Sequence, residues 1–312
     1  MEETAGRKAA QNLASLSVIS NTILVILKVL VGLITHSVSV LSEAVHSGID
    51  LIAAIMAFWA VREASKPADR DHPYGHGKIE NISGSVEAIL IFVAAILIIY
   101  EAVKKLYHPE PIEAGLGFWV MLFSSGTNLY ISRKLLAGGK KYDSLALEAD
   151  GWHLMTDVYT SAGVMTGLFI IWVTKLYILD SIVAIITALF IMKAAYEMTH
   201  KSVKGLMDQQ LPPEEEELIK EIILEHYDKY VSFHNLRTRK SGAERFVDLH
   251  LVVKEHTTVK EAHDFCNHLE DDIKAKFKRC NVLIHIEPDS VVPTGIFSES
   301  DVKKSLEEGK KN

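Results

Sequence analysis

The sequence predicts a multi-pass α-helical membrane protein with six transmembrane helices and a C-terminal α+β domain outside the bilayer. Three observations carry that expectation. Up to about Lys204 the chain is dominated by apolar runs, each close to the roughly twenty residues that cross a hydrocarbon core as a helix. From Asp208 onward it turns acidic and rich in Glu and Lys, the composition of a soluble segment. Between the apolar runs, Lys and Arg gather in alternate loops, which is the charge pattern of a chain threaded back and forth through a membrane.

The six expected spans are residues 13–34, 38–61, 82–106, 115–131, 145–173 and 178–198. Runs this long satisfy their backbone groups in lipid only as helices. Arg7 and Lys8 precede the first span. Arg62, Lys66, Arg70 and Lys78 fall between the second and third, and Arg133, Lys134, Lys140 and Lys141 between the fourth and fifth. Lys201 and Lys204 follow the sixth. The positive-inside rule then places both termini in the cytoplasm. Residues 1–12 are polar and lack the apolar stretch of a secretory signal, so the amino terminus is expected to be retained.

In the soluble half, Pro212 and Pro213 followed by four glutamates make a helix start, because acids suit the first turn. That helix is expected to run to about Tyr227. Strands follow near 233–240 and 244–254, joined at Ser241-Gly242, where glycine permits a tight turn. A second helix over 258–277 and a third strand over 282–287 complete an α-β-β-α-β order, a small open-faced sandwich of ferredoxin-like type. The expected divisions are 1–207 for the transmembrane domain, 208–292 for the cytoplasmic domain and 293–312 for a polar tail.

A net charge of -7 removes any reason to expect nucleic-acid binding, which needs a basic face. Cys266 and Cys280 are the only cysteines, too few for a disulfide framework. Cys266 reads as a buried structural thiol rather than a thiolate ligand.

Ionisable residues inside a span are costly in lipid and mark function by default. His46 and Asp50 sit in the second span, and His153 and Asp157 in the fifth. Each pair is spaced i, i+4, so its side chains leave one helical face a turn apart. Two imidazoles and two carboxylates suit tetrahedral zinc; the plainer reading of any one pair is a hydrogen-bonded contact between helices. Lys28 reads as snorkelling or internally paired, and Asn21, Asn128 and Glu87 as bundle hydrogen bonds.

The loop after the second span holds Asp69, His72 and His76, with Gly75 and Gly77 free to wrap them around an ion; read alone, it is also an ordinary polar loop. Seven of the fourteen histidines lie in the soluble half. Period-two alternation puts Val247, Leu249, Leu251 and Val253 on a buried face and His250 on the other. In the last strand Val282, Ile284 and Ile286 point inward, leaving His285 and Glu287 opposite. With His234 and His263 these residues can build one or two metal sites. His226, His256 and His268 read as scattered surface histidines.

From about Asn12 to Val292 the chain resembles the cation diffusion facilitator family, proton-coupled exporters of zinc and related metals, in its bacterial form. The resemblance rests on Ser-Val-Ser-Val-Leu entering the second span, the pairs His46/Asp50 and His153/Asp157, and Asp-x-x-His-Pro-Tyr-Gly-His-Gly-Lys at 69–78. It rests also on Leu-Arg-Thr-Arg-x-Ser-Gly at 236–242 and on His-x-Glu-Pro from His285 to Pro288. It implies a transport site of His46, Asp50, His153 and Asp157, and a loop site of Asp69, His72 and His76. It further implies a cytoplasmic binuclear site of His234, His250, His263 and His285 bridged by Glu287, an ion pair between Lys78 and Asp208 near the dimer interface, and a homodimer. Two positions depart from some relatives. Aspartate replaces His46 in bacterial members of broader selectivity, and aspartate replaces Glu287 in close relatives, so the extra methylene alters the bridging reach.

The expected function is therefore efflux of divalent transition-metal ions, Zn2+ foremost, by metal/proton antiport with alternating access. The partners would be the lipid bilayer, metal ions, protons and a second copy of the chain, in the bacterial inner membrane. Zn2+ would be both substrate and regulatory ligand. The alternatives are the same fold carrying mainly Fe2+, Cd2+, Co2+ or Mn2+, and a membrane-anchored metal sensor. An intramembrane metal hydrolase is disfavoured by the lack of a His-Glu-x-x-His motif, and by four protein ligands that leave no open position for water.

Overall fold

The structure is a computed structural model and describes residues 2–35, 38–107, 116–174, 178–277 and 279–290. The tail expected over 293–312, the start of the fourth span at Gly115 and Ser37 of the run entering the second span lie outside these residues. The chain divides into two compact units, Met1–Leu206 and Met207–Asn312.

The first unit is built of six helices: α1 (Glu2–Thr35), α2 (Val38–Ala64), α3 (Lys78–Tyr107), α4 (Leu116–Tyr142), α5 (Leu145–Thr174) and α6 (Ile178–Leu206). Each expected span falls on one of them. Several run well past the apolar stretch, α1 beginning at Glu2 and α4 continuing to Tyr142. Hydropathy reports only the apolar part of a helix, and the polar extensions have packing of their own. Ala10 and Ala14 of α1 join Ala60, Val61, Ile131, Leu135, Leu147 and Leu154 in one buried cluster.

Among the described residues four helices are long and apolar enough to cross a membrane, over Ala5–Ile34, Ala44–Ala64, Lys78–Lys104 and Ser181–Leu206. Their surface is inverted relative to a soluble bundle. On α3, Ile89 is 54% exposed while its neighbour Ala88 is wholly buried, and the buried Ser83, Glu87, Ala88 and Ala95 are small or polar. Aliphatic and aromatic residues outside with small residues at the contacts is the arrangement lipid favours, since the bilayer supplies no hydrophobic drive between helices and close packing takes its place. The closest partnerships are α3 with α6, α1 with α2 and α4 with α5, and α2 also packs on α5.

The second unit runs α7 (Pro213–Glu225), a 3-10 turn (Tyr227–Lys229), β1 (Ser232–Ser241), β2 (Glu244–Val253), α8 (Val259–Lys276) and β3 (Cys280–Pro288). Pro213 opens α7 where its missing N–H is harmless, and Glu214, Glu215 and Glu216 occupy the first turn. Thr258 and Glu261 form a capping box that starts α8. The sheet order is β1-β2-β3, antiparallel between β1 and β2 and parallel between β2 and β3. Gly242, at φ +59°, closes the β1–β2 hairpin. One core holds the unit: Ile219 and Ile223 of α7 and Leu269 and Ile273 of α8 meet Val247, Leu249 and Leu251 of β2.

Two details depart from simple alternation. Between His234 and Arg237 the β1–β2 register shifts, with Asn235 at φ +52°, so a bulge interrupts β1. On β3, Val282 and Ile284 pack on the core as expected, but Ile286 is 36% exposed, because β3 is an edge strand and the core ends before its last residues.

Candidate metal centres

In the membrane unit, α2 and α5 bring the two polar pairs together, but each residue faces the opposite type on the other helix. His153 Nε2 lies 3.2 Å from Asp50 Oδ1, and His46 Nε2 lies 3.8 Å from Asp157 Oδ1. The earlier residue of one helix matches the later residue of the other, as neighbouring antiparallel helices require. Ligand atoms of His46, Asp50 and Asp157 all come within 4.8 Å of one another. Asp50 is buried, whereas the His46 side chain is 55% exposed, so the group opens at its His46 end.

Other elements prepare this cluster. Asn128 of α4 donates from Nδ2 to Asp157 Oδ2 at 3.3 Å, the bundle hydrogen bond its sequence context predicts, here made to a candidate site residue. Lys28 resolves to internal pairing: it is buried, and its Nζ donates to Ser47 Oγ at 2.8 Å, one residue from His46. Glu87 accepts a bond from Ser83 Oγ at 3.3 Å and interacts with Asp150 and His153. Both Glu87 and Asp150 are fully buried. Asp150 escaped sequence reasoning; its one visible signal is its place three residues before His153, on the same face.

The loop after α2 folds tightly around Asp69. Its Oδ1 accepts from the backbone N–H groups of His72 at 2.7 Å and Asp71 at 3.0 Å, while Oδ2 is 3.2 Å from His76 Nε2 and Oδ1 is 3.4 Å from His72 Nδ1. The two imidazoles sit 4.5 Å apart. Gly75, at φ +83°, returns the chain so that its N–H bonds to the His72 carbonyl at 2.9 Å, a backbone conformation few other residues adopt. The His72 amide above all, then His76, Asp71 and His72, hold the Asp69 carboxyl below its usual range.

In the second unit the strand register builds a row of imidazoles. His234 pairs with His250 across β1–β2, and His250 with His285 across β2–β3. Ring centroids are 5.0 Å and 4.8 Å apart along this row. Glu287 reaches across it, 2.8 Å from His250 Nδ1, 3.4 Å from His234 Nε2 and 3.7 Å from His285 Nε2. The bulge explains how His234 meets the row despite its position at the strand's start. Asn235 Nδ2 lies 3.2 Å from His250 Nε2. His263 stands on α8 beside Asn267, with Nε2 and Nδ2 3.2 Å apart, and is exposed; it does not join the groups of converging ligands found among the described residues.

Lys78 and Asp208 fall in different units. Lys78 Nζ donates to the Leu206 carbonyl at 3.3 Å, and Asp208 Oδ1 accepts from Arg239 at 3.1 Å. Two of the histidines expected to be scattered are not: His226 and His268 converge with Asp272. Cys266 is buried in the core, and burial together with the Glu270 charge pushes its thiol up to about 11, so it offers no thiolate at neutral pH.

A helical membrane bundle with imidazole and carboxylate ligands facing each other inside it, followed by an α+β domain bearing a second ligand row, defines a metal-cation transporter. Residues 14–207 match the cation efflux transmembrane domain and residues 211–289 the cation efflux protein cytoplasmic domain. The chain belongs to the cation diffusion facilitator family and is a cation-efflux transporter. It is 38% identical over 256 residues to the uncharacterized transporter sll1263 of Synechocystis sp., covering 82% of this chain and 83% of that one. It is 31% identical over 273 residues to the cation-efflux pump FieF of Yersinia enterocolitica, covering 87% of this chain and 90% of the pump. A solved structure of CzrB in a Zn form is 37% identical, covers 28% of this chain and 98% of its own, and has a TM-score of 0.26.

Proposed function

We propose that this protein exports divalent transition-metal ions, zinc foremost, from the cytoplasm in exchange for protons. The observation that carries the reading is the crossed pairing of His46 with Asp157 and Asp50 with His153 between α2 and α5. Two nitrogen and two oxygen donors suit a tetrahedral ion. Four protein ligands hold a cargo and leave no open position for a catalytic water. Ligands bind metal only after losing their protons, so entry of the ion releases protons and its exit takes them up. Alternating exposure of one such site to the two sides then couples an inward proton gradient to outward metal movement.

The same reading orients the chain with both termini in the cytoplasm and places it in the bacterial inner membrane as a homodimer. Asp69, His72 and His76 form a loop site. His234, His250, His263, His285 and Glu287 form a regulatory site whose occupancy biases the bundle.

The test is metal-driven proton flux in sealed proteoliposomes, comparing zinc, cadmium, iron and manganese. Proton movement with zinc and none with manganese supports both the exchange and the preference. Zinc accumulation without proton movement removes the antiport step and leaves uniport. No flux of either kind favours a membrane-anchored sensor.

A further inference from the structure

We propose that His226, His268 and Asp272 form an additional divalent-metal site that fastens α7 to α8 in the cytoplasmic domain. His226, at the end of α7, and Asp272 of α8 meet from 46 positions apart in sequence. His226 is the C-cap residue of α7, fixed by its backbone N–H bond to the Ile223 carbonyl at 3.2 Å. Phe265 meets its ring edge-on at 6.0 Å, so the imidazole is oriented and mostly covered. His268 and Asp272 stand one turn apart on α8, on one face.

The geometry is that of a ligand set gathered around one position. Asp272 Oδ2 is 2.8 Å from His226 Nε2 and 3.7 Å from His268 Nε2. The two rings are 5.1 Å apart at 72°. Donor atoms of all three lie within 4.8 Å of one another. Donors bound at about 2.0–2.2 Å in a tetrahedral shell stand about 3.3–3.6 Å apart, so the His226–Asp272 pair opens slightly and His268, whose side chain is 54% exposed, closes in. A His–Asp hydrogen bond alone accounts for His226 and Asp272, but it gives no reason for a second imidazole directed at the same carboxylate oxygen.

This group is separate from the imidazole row on the sheet. The helices contribute their apolar faces to the core beneath the sheet, with Ile223 and Leu269 packed on Leu249 and Leu251. His250 lies on the opposite side of β2, alternating with those leucines. Two nitrogens and one carboxylate select a borderline ion such as zinc, cobalt, nickel or copper over magnesium or calcium, which take oxygen shells. With three protein ligands and an exposed rim, the fourth position belongs to water. An ion there would bridge the end of α7 to the middle of α8, and binding to the folded domain alone would stabilise it.

The test uses the full chain in detergent, dialysed to equilibrium at saturating free zinc, with bound metal counted per chain. His268→Ala is expected to bind one zinc fewer than the unaltered protein, and His268→Cys, which restores a ligand, to regain it. Asp50→Ala should lose a different ion, so the double variant Asp50→Ala/His268→Ala should lose two. An unchanged count in His268→Ala, with the Asp50→Ala loss intact, overturns the helical-face site and leaves the transport reading untouched. A count unchanged only in Asp50→Ala does the reverse. Because His268 is largely exposed, its replacement is expected to leave the fold intact, which circular dichroism checks.

Discussion

His153 and Asp50, 103 residues apart in sequence, meet at 3.2 Å between Nε2 and Oδ1 inside the helical unit. The contact holds α5 against α2 and presents one donor of each kind from opposite walls. Asp50→Ala removes a proposed ligand and the partner of His153 Nε2. Zinc flux in proteoliposomes should fall to background while the protein still elutes as the unaltered assembly on size exclusion. Flux retained at even a tenth of the original would remove Asp50 from the transport site.

Asn128 acts on the site through Asp157, with its Nδ2 3.3 Å from Oδ2. Groups that orient a ligand typically change metal affinity by about 10–100-fold when lost. Asn128→Ala should raise the zinc concentration for half-maximal flux toward the lower end of that range and leave the maximal rate within about twofold. Asn128→Asp would place a second carboxylate beside Asp157 and should damage transport more than alanine does.

His46 is the exposed corner of the transport group. Replacing its imidazole by a carboxylate trades a nitrogen donor for oxygen and weakens the preference for zinc-type ions. His46→Asp should therefore widen the range of ions carried to include cadmium, read as the ratio of cadmium to zinc flux. A ratio unchanged from the unaltered protein would disconnect His46 from selectivity.

The thiols of the cytoplasmic domain give a pH signature. Burial first, and then Glu270, raises Cys266 from 9.0 to about 11. Burial likewise dominates at Cys280, raising it from 9.0 to about 11 against the lowering effect of Arg245 and Lys274. A thiol whose folded value lies above its unfolded value stabilises the fold fully below pH 9 and loses that contribution as pH rises toward 11. Labelling by iodoacetamide should stay slow at neutral pH and accelerate only well above the range of a free thiol. Urea midpoints for the domain should decline between those two values and be flat below them.

Asn235 holds a left-handed backbone at the β1 bulge, φ +52°, beside His234. Asn235→Ala keeps a Cβ in that conformation without the short polar side chain that lets Asn tolerate it, at a cost of about 1 kcal/mol, and it removes the contact to His250. Asn235→Gly keeps the backbone and loses only the contact. Alanine should therefore lower the urea midpoint of the domain more than glycine, while both weaken zinc binding at the imidazole row.

The helices were legible because apolar runs of spanning length have few other readings, and the polar pairs because lipid makes His46, Asp50, His153 and Asp157 conspicuous. Their crossed partnership was not, since it depends on how α2 lies against α5 and not on spacing within either. Asp150 was passed over for the same reason, and Asn128 reads as a bundle hydrogen bond without its partner Asp157. In the second unit the alternation of Val247, Leu249 and Leu251 fixed one face of β2, and the cross-strand register then placed His250 and His285 together. The bulge at Asn235 and the exposure of Ile286 follow from local backbone geometry and the limit of the core, neither of which alternation reports. His226, His268 and Asp272 meet only through helix packing, and a pattern read along the chain cannot bring them together.

The crossed pairing gives the intramembrane group a divided construction. In the transport site proposed above, each helix carries half a coordination sphere, one imidazole and one carboxylate on a single face, and neither half is complete. Any parting of α2 from α5 strips two donors from an ion together, one of each kind. In the proposed transport cycle, affinity then changes in a single large step as the helices move, from four donors to two once the clasp opens. Grip and helix position thus become one variable, so that holding the cargo and holding the helices together are the same event.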